Sequence, residues 1–321
     1  NHYRQCEFEG EIAHTRTDFE ELHKRMKEIE QLDGQAPEIV FEATGVYSKP
    51  VEKFFIDSGY AYIRMNPLEA NLQMASMRRN KTDISDAHEL AKSHFKMDRE
   101  VTYVQDEYFE QMRSLTRYYD EVDREVTVLR SRMHALLQLS FPELEKLITP
   151  RSALFLNTVQ LYPHPALLQV HSKTVIKNRL KANTRKNLSV ARAEAKAEVL
   201  LKAAQNSYPA IQETDIRCEQ IRDYAARMMD LMEKKDALIK QMVAMSKERL
   251  DYQVLRSIPG IGDTTACRVI GELGDIRRFK NAKQLNAYVG IDIMRYQSGN
   301  THYQDRINKR GNKKLRKILY F

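Results

Sequence analysis

Three carboxylates and one serine stand where they could act on a phosphate. Glu42 follows the apolar run Ile39-Val40-Phe41. Asp83 and Asp86 lie three apart in a stretch that reads as a helix, so they share a face. Carboxylates at a strand end and on a nearby helix suit Mg²⁺, which takes oxygen ligands and completes its octahedron with water and substrate phosphates. The same spacing also fits Asp83 as a helix cap and Asp86 as a solvated side chain. Ser298 lies in the glycine-flanked loop Gln297-Ser298-Gly299-Asn300. It precedes Arg306, Lys309, Arg310, Lys313, Lys314, Arg316 and Lys317, opposed only by Asp305. Serine is a poor nucleophile until activated. Arginines stabilise charge that develops on an attacked phosphate. A loop serine beside a nucleic-acid-binding helix is the plainer alternative.

Two further segments have the chemistry to hold phosphate. Ile258-Pro259-Gly260-Ile261-Gly262 resembles a helix-hairpin-helix turn. Gly260 and Gly262 permit a tight turn whose backbone N–H groups stay available to a phosphate. Residues 173–202 carry Lys173, Lys177, Arg179, Lys181, Arg185, Lys186, Arg192, Lys196 and Lys202 against Glu194 and Glu198. Such a density suits contact with a nucleic-acid backbone, or else a solvated helical face.

The rest of the chain must position these groups. At 321 residues it has room for two or three domains of roughly 100–200 residues each. Residues 1–100 read as α/β. Strands are expected at Tyr3–Phe8, Glu11–Thr15, Ile39–Phe41 and Tyr60–Met65. Helices are expected at Phe19–Leu32, capped by Asp18, and at Pro50–Ser58, Leu68–Met77 and Asp83–Phe95. Residues 101–250 are helical. Tyr108, Met112, Leu115, Tyr119, Val122, Val126, Leu129, Met133 and Leu136 alternate by four and three, a heptad seam that Pro142 ends. A second seam runs from Ile221 to Met245, with Lys235 at the missing position. These seams call for pairing within the chain or across a dimer, and the expectation is at least one contact between chains. Residues 251–321 form a third, small helical block.

Composition agrees with a basic, globular chain. Hydrophobic residues make up 42%, and the 52 Lys and Arg outnumber the 44 Asp and Glu. The net charge of +8 hints at a polyanionic partner. No apolar run reaches the ~18 residues of a membrane span, so no membrane partner is expected. Cys6, Cys218 and Cys267 form no disulfide framework, and no Cys/His spacing suits zinc, which fits a reducing compartment. No phosphate-binding GxxxxGK[ST] motif is present.

Glu42-Ala43-Thr44-Gly45-Val46-Tyr47 and Arg79-Asn80-Lys81-Thr82-Asp83-Ile84-Ser85-Asp86-Ala87 resemble the N-terminal half of the DEDD transposases of bacterial insertion sequences. These are serine recombinases guided by a bridge RNA. The C-terminal half resembles the same family independently, in order and spacing. It carries Ser257-Ile258-Pro259-Gly260-Ile261-Gly262, Gly274-Asp275-Ile276-Arg277-Arg278-Phe279, Ala287-Tyr288-Val289-Gly290, Ser298-Gly299 and Lys309-Arg310-Gly311-Asn312-Lys313-Lys314-Leu315-Arg316.

The resemblance implies a fold of class α/β plus α. It would comprise an RNase H-like (Holliday-junction-resolvase-like) domain over 1–100, a coiled-coil dimerisation and basic helical region over 101–250, and a C-terminal transposase domain over 251–321. It implies that Glu42, Asp83 and Asp86 bind Mg²⁺ as three members of an acidic tetrad. The family's first aspartate lies in a Gly-Ile-Asp-like first strand that nothing here matches, so that strand is expected before residue 1. Family members also continue beyond the point that Phe321 represents. It further implies that Ser298 attacks a DNA phosphodiester and forms a covalent intermediate. Partners would be donor and target DNA and a guide RNA, handled by a homodimer that pairs into a tetramer in the bacterial cytoplasm. The expected contacts to nucleic acid are Lys173, Lys177, Arg179, Lys181, Arg185, Lys186, Gly260, Gly262, Arg306, Lys309, Arg310, Lys313, Lys314 and Arg316. Two alternatives stand beside this reading: a metal-dependent, structure-selective nuclease with Ser298 incidental, and a non-catalytic nucleic-acid-binding protein.

Overall fold

The computed structural model describes residues 6, 8–67, 70, 82–97, 99–184, 188–294, 297–298, 301–302 and 304–320. At 297–298 and 301–302 it describes the backbone alone. The chain divides into two compact units, Asn1–Val104 and Gln105–Phe321.

The first unit is built on alternation in two short strands. Helix α1 (Arg16–Asp33) precedes strand β1 (Ile39–Glu42). A 3-10 turn (Gly45–Tyr47) and helix α2 (Ser48–Asp57) lead to strand β2 (Tyr62–Met65). The strands pair in parallel, Ile39 opposite Tyr62 and Glu42 opposite Met65. Successive side chains of a strand face opposite sides. Ile39, Phe41 and Tyr62 accordingly join Met26, Phe54 and Phe55 of α1 and α2, whereas Val40, Ile63 and Met65 pack with Leu90 of helix α3 (Asp83–His94). The result is a helix–sheet–helix layering. Among the described residues its sheet has these two strands.

Two local expectations are corrected here. The N-cap of α1 is Thr15, whose Oγ1 accepts from the Asp18 N–H at 3.2 Å. Asp18 instead accepts the Ala13 N–H at 2.8 Å. That bond ties down the backbone expected to form a strand over Glu11–Thr15, and no strand forms there. The stretch Tyr3–Phe8 and the helix expected over Leu68–Met77 lie largely outside the described residues.

Among the described residues the second unit is helical except for a small β-arm. Helix α4 (Glu107–Ser140) carries the first seam, and α10 (Ile216–Ser246) carries the second. They lie antiparallel within the chain. Tyr108 Oη meets Ser246 Oγ at 2.8 Å, Thr116 Oγ1 meets Met242 Sδ at 3.8 Å, and Asp123 pairs with Lys235. The seams thus find their partner in the chain, and Lys235 fills its off-pattern place as an ion pair rather than as a gap. Between them, α5 (Leu144–Leu147), α6 (Ala153–Leu161), α7 (Ala166–Gln169), α8 (Lys173–Ala182) and α9 (Val190–Asn206) close a core over Leu129, Met133, Phe155, Leu156, Leu180 and Ile221.

Helices α11 (Leu250–Ser257), α12 (Asp263–Leu273) and α13 (Ala282–Val289) follow, and α14 (Lys313–Tyr320) is the last described element. α12 crosses α4 closely at Gly271. A methyl there would sit 2.6 Å from the Met112 carbonyl and against Thr116 Oγ1. Among the described residues no helix is long and apolar enough to cross a membrane.

Candidate functional site

The three acids lie at one end of the first unit. α3 runs antiparallel to β1, because His94 at its C-terminus meets Glu38 at 2.7 Å, and Leu90 packs in the cluster that holds Val40. At ~1.5 Å per residue, the helix retreats about 16 Å from His94 to Asp83. At ~3.3 Å per residue, the strand advances about 13 Å from Glu38 to Glu42. Glu42 therefore reaches the layer edge at which α3 begins.

Asp83 and Asp86 both sit in the first turn of α3, where the helix dipole favours negative charge. Neither is the cap. Thr82 and Ser85 form a capping box, with the Ser85 N–H on Thr82 Oγ1 at 3.1 Å and the Thr82 N–H on Ser85 Oγ at 3.0 Å. Asp83 is exposed, and Asp86 and Glu42 are half-buried. Hard oxygen donors at one edge fit Mg²⁺ in type. Their oxygens are not gathered within 4.8 Å of one another, however, as a closed ligand set would be.

The set that does gather within 4.8 Å among the described residues is Cys6, Glu9 and His88. Cys6 and Glu9 lie three apart, but His88 is 79 positions beyond Glu9, so spacing does not reveal the set. Cys6 Sγ donates to the Phe8 carbonyl at 3.1 Å, and buried His88 Nε2 lies 3.2 Å from a Glu9 carboxylate oxygen without a hydrogen bond to it.

Ser298 lies on a two-tier antiparallel arm in the second unit. Strands β3 (Ile293–Met294) and β6 (Arg306–Ile307) form its base, and β4 (Gln297–Ser298) and β5 (Thr301–His302) its outer tier. Ser298 pairs with Thr301, so it is the last paired residue before the connecting positions 299–300. The arm's two ends are pinned together. The Asn308 N–H bonds the Asp292 carbonyl at 2.8 Å and the Asn312 N–H bonds the Tyr288 carbonyl at 2.6 Å. Arg316 donates to the Val289 and Lys309 carbonyls at 2.8 and 3.2 Å. The backbones cross at Gly290 and Gly311. A Cβ on Gly311 would meet the Val289 carbonyl carbon at 2.6 Å, and one on Gly290, at φ 77°, would meet the Gly311 nitrogen at 2.6 Å.

The basic residues divide by what already holds them. Arg306, Lys309, Arg310 and Lys313 are exposed and pair with no acidic side chain among the described residues. Lys314 is half-buried, and Arg316 is committed to carbonyls. Lys173 bridges Glu194 at 3.3 Å and Glu198 at 2.8 Å. Hydrogen bonding to Glu198 raises its pKa, and a phosphate would have to displace those partners. Arg179 leans on His171 at 2.8 Å, and Lys181 is exposed near the end of α8. Arg185 and Lys186 lie outside the described residues.

At the turn between α11 and α12, Gly260 has φ 90°. The space beside Gly260 and Gly262 is open, so a ligand can approach the backbone. Asp263 at the start of α12 is clamped by Arg256 Nε at 2.6 Å and by Tyr252 Oη at 2.8 Å. Cys267, on the same helix, is no rival nucleophile: burial pushes its thiol up to about 11.

A family model described as "Transposase" of the DEDD, IS110 type matches residues 4–142, and one described as "Transposase IS116/IS110/IS902 family" matches residues 252–321. The chain resembles the IS110-family DEDD transposases. The first match contains Glu42, Asp83 and Asp86, and the second contains Ser298.

Among individual proteins, it is 39% identical over 80 residues to a transposase for insertion sequence element IS1111A of Coxiella burnetii, covering 25% of this chain and 22% of that one. It is 23% identical over 251 residues to an uncharacterized 43.6 kDa protein of insertion element IS110 in Streptomyces coelicolor, covering 75% and 59%. It is 35% identical over 94 residues to a pilin gene-inverting protein of Moraxella lacunata, covering 28% and 29%. The chain thus spans between 22% and 59% of the length of these three relatives.

Proposed function

We propose that this chain is an RNA-guided DNA recombinase (transposase) that cuts and rejoins donor and target DNA through a covalent phosphoserine at Ser298. What carries the reading is the agreement of two separate blocks with one family, the carboxylates in the first and the serine in the second. Ser298 Oγ attacks the scissile phosphorus. The Oγ–P bond forms as the P–O bond to the leaving deoxyribose oxygen breaks, the serine proton goes to a base, and the leaving oxygen gains a proton. Attack by a hydroxyl of the other duplex then reverses the step and frees the serine. One phosphodiester is exchanged for another, which is why no ATP motif is needed.

Glu42, Asp83 and Asp86 would hold Mg²⁺, which would supply positive charge to a bound phosphate. Arg306, Lys309, Arg310 and Lys313 stabilise that phosphate and its neighbours. The open turn at Gly260 and Gly262 offers backbone N–H groups to the DNA strand. Lys177, Lys181 and the neighbouring Arg185 and Lys186 suit an RNA or DNA backbone. Base pairing to the guide supplies sequence specificity, as in other RNA-guided systems. Exchange between two duplexes needs four serines, hence a pair of dimers.

The test is strand exchange with the protein, its guide RNA, Mg²⁺ and a labelled donor–target DNA pair. Joined recombinant strands are expected only with guide RNA present, and are lost in Ser298→Ala and Asp83→Asn. Hydrolysed DNA that persists in Ser298→Ala would overturn the reading in favour of a metal-dependent nuclease.

A further inference from the structure

Glu272, near the end of α12, has a side chain that is 0% exposed. A carboxylate so buried is tolerated only when paired and hydrogen-bonded. It has two donors. Arg117 Nε of α4 reaches Oε1 at 3.2 Å, and Asn312 Nδ2 reaches Oε2 at 3.0 Å. The Glu272 backbone carbonyl accepts from Tyr288 Oη at 3.0 Å and from Asn312 Nδ2 at 3.2 Å. One residue thus ties the long helix α4, helix α13 and the start of α14 together. Asn312 has no freedom to turn. Its Oδ1 caps α14 by accepting the Lys314 and Leu315 N–H groups, both at 3.0 Å. Its amide nitrogen must therefore face Glu272. Asn312 also closes the Ser298 arm through its bond to the Tyr288 carbonyl.

We propose that Glu272 is the positioning residue of the Ser298 arm. Its carboxylate holds Asn312, and through Asn312 it fixes both ends of the arm against α4. The assignment rests on the reading of Ser298 as nucleophile for its catalytic consequence, and on the packing alone for its structural one. The chemistry requires a particular pair. Glu272→Gln leaves one acceptor for two donors, so an amide faces an amide. Asn312→Asp sets two carboxylates against each other. The two changes together restore a donor opposite an acceptor between the side chains, the Glu272 carbonyl keeps Tyr288 Oη as its donor, and aspartate caps a helix as well as asparagine does.

The test is hydrogen exchange on the full chain, with Ser298–DNA adduct formation measured in parallel. Both single variants are expected to speed exchange at the Asn308 and Asn312 amides by at least about tenfold while leaving the middle of α10 unchanged. They are expected to slow adduct formation without weakening DNA binding. The double variant is expected to recover both. Exchange in the singles that matches wild type, a double no better than the singles, or adduct rates that ignore a loosened arm would each overturn the proposal. Absence of adduct in wild type would contradict the serine reading itself. It is told apart by arm exchange, which would still follow the single and double variants.

Discussion

Burial opposes the ionisation of Glu52, yet hydrogen bonds from Arg64 of β2 and from Lys49 outweigh it and hold the carboxyl below its ordinary 4.5. The contacts are 2.9 Å to Arg64 and 3.0 Å to Lys49. A carboxyl depressed by folding stabilises the native state above its unfolded value and loses that contribution as pH falls through its folded one. The first unit is therefore expected to lose thermal stability as pH drops below about 4.5, and Glu52→Gln to flatten that loss, in melts followed across pH. This pair joins α2 to the strand beside the one that ends in Glu42. At this scale the sequence showed residue types better than partners. Glu42, Asp83 and Asp86 were legible as acids at element ends. Glu272 was not, because burial and its Arg117 and Asn312 donors come from segments 155 and 40 positions away.

Elements were legible where many side chains repeat a pattern. The seam on α4 is visible because a long helix buries one stripe, and Met112, Val122, Leu129 and Met133 are buried as their spacing requires. Phe109 and Leu137 are buried beside it, because α12 and the inserted helices cover the flanks that a two-helix seam leaves open. The start of α1 was not legible. Its opening residues Arg16 and Thr17 are polar, so the apolar period begins only after the true cap. Strands β3 to β6 pair over two residues each, too short for alternation to register. Helix crossings also escape a pattern reading, and Gly271 is the sharpest case. Because a methyl there meets the Met112 backbone, which cannot swing aside, Gly271→Ala is expected to destabilise the protein by roughly 1–3 kcal/mol. Denaturant unfolding would check this.

For the molecule as a whole, the pairing of α4 with α10 changes what the seams imply. They have a partner within the chain, and the proposed dimer is argued from the need to exchange two duplexes. The net charge of +8 is not spread evenly in function. Lys173, Arg268 and Arg316 are engaged within the fold, whereas Arg306, Lys309, Arg310 and Lys313 are exposed around the arm. Binding to duplex DNA is expected to weaken steeply with salt. Replacing Lys309, Arg310 and Lys313 together by alanine should reduce the log–log salt slope by about 0.9 for each phosphate left unneutralised. A slope unchanged by those substitutions would move the phosphate-binding surface elsewhere.

In the proposed reaction Ser298 becomes bonded to DNA. This is tested most directly by trapping the reaction on a nicked DNA substrate with guide RNA and Mg²⁺, digesting the protein, and identifying the peptide that carries a nucleotide by mass spectrometry. One modified peptide is expected, containing Ser298 and absent from the Ser298→Ala variant. DNA cleaved in full with no nucleotide on any serine, or a nucleotide on a different residue, would contradict it.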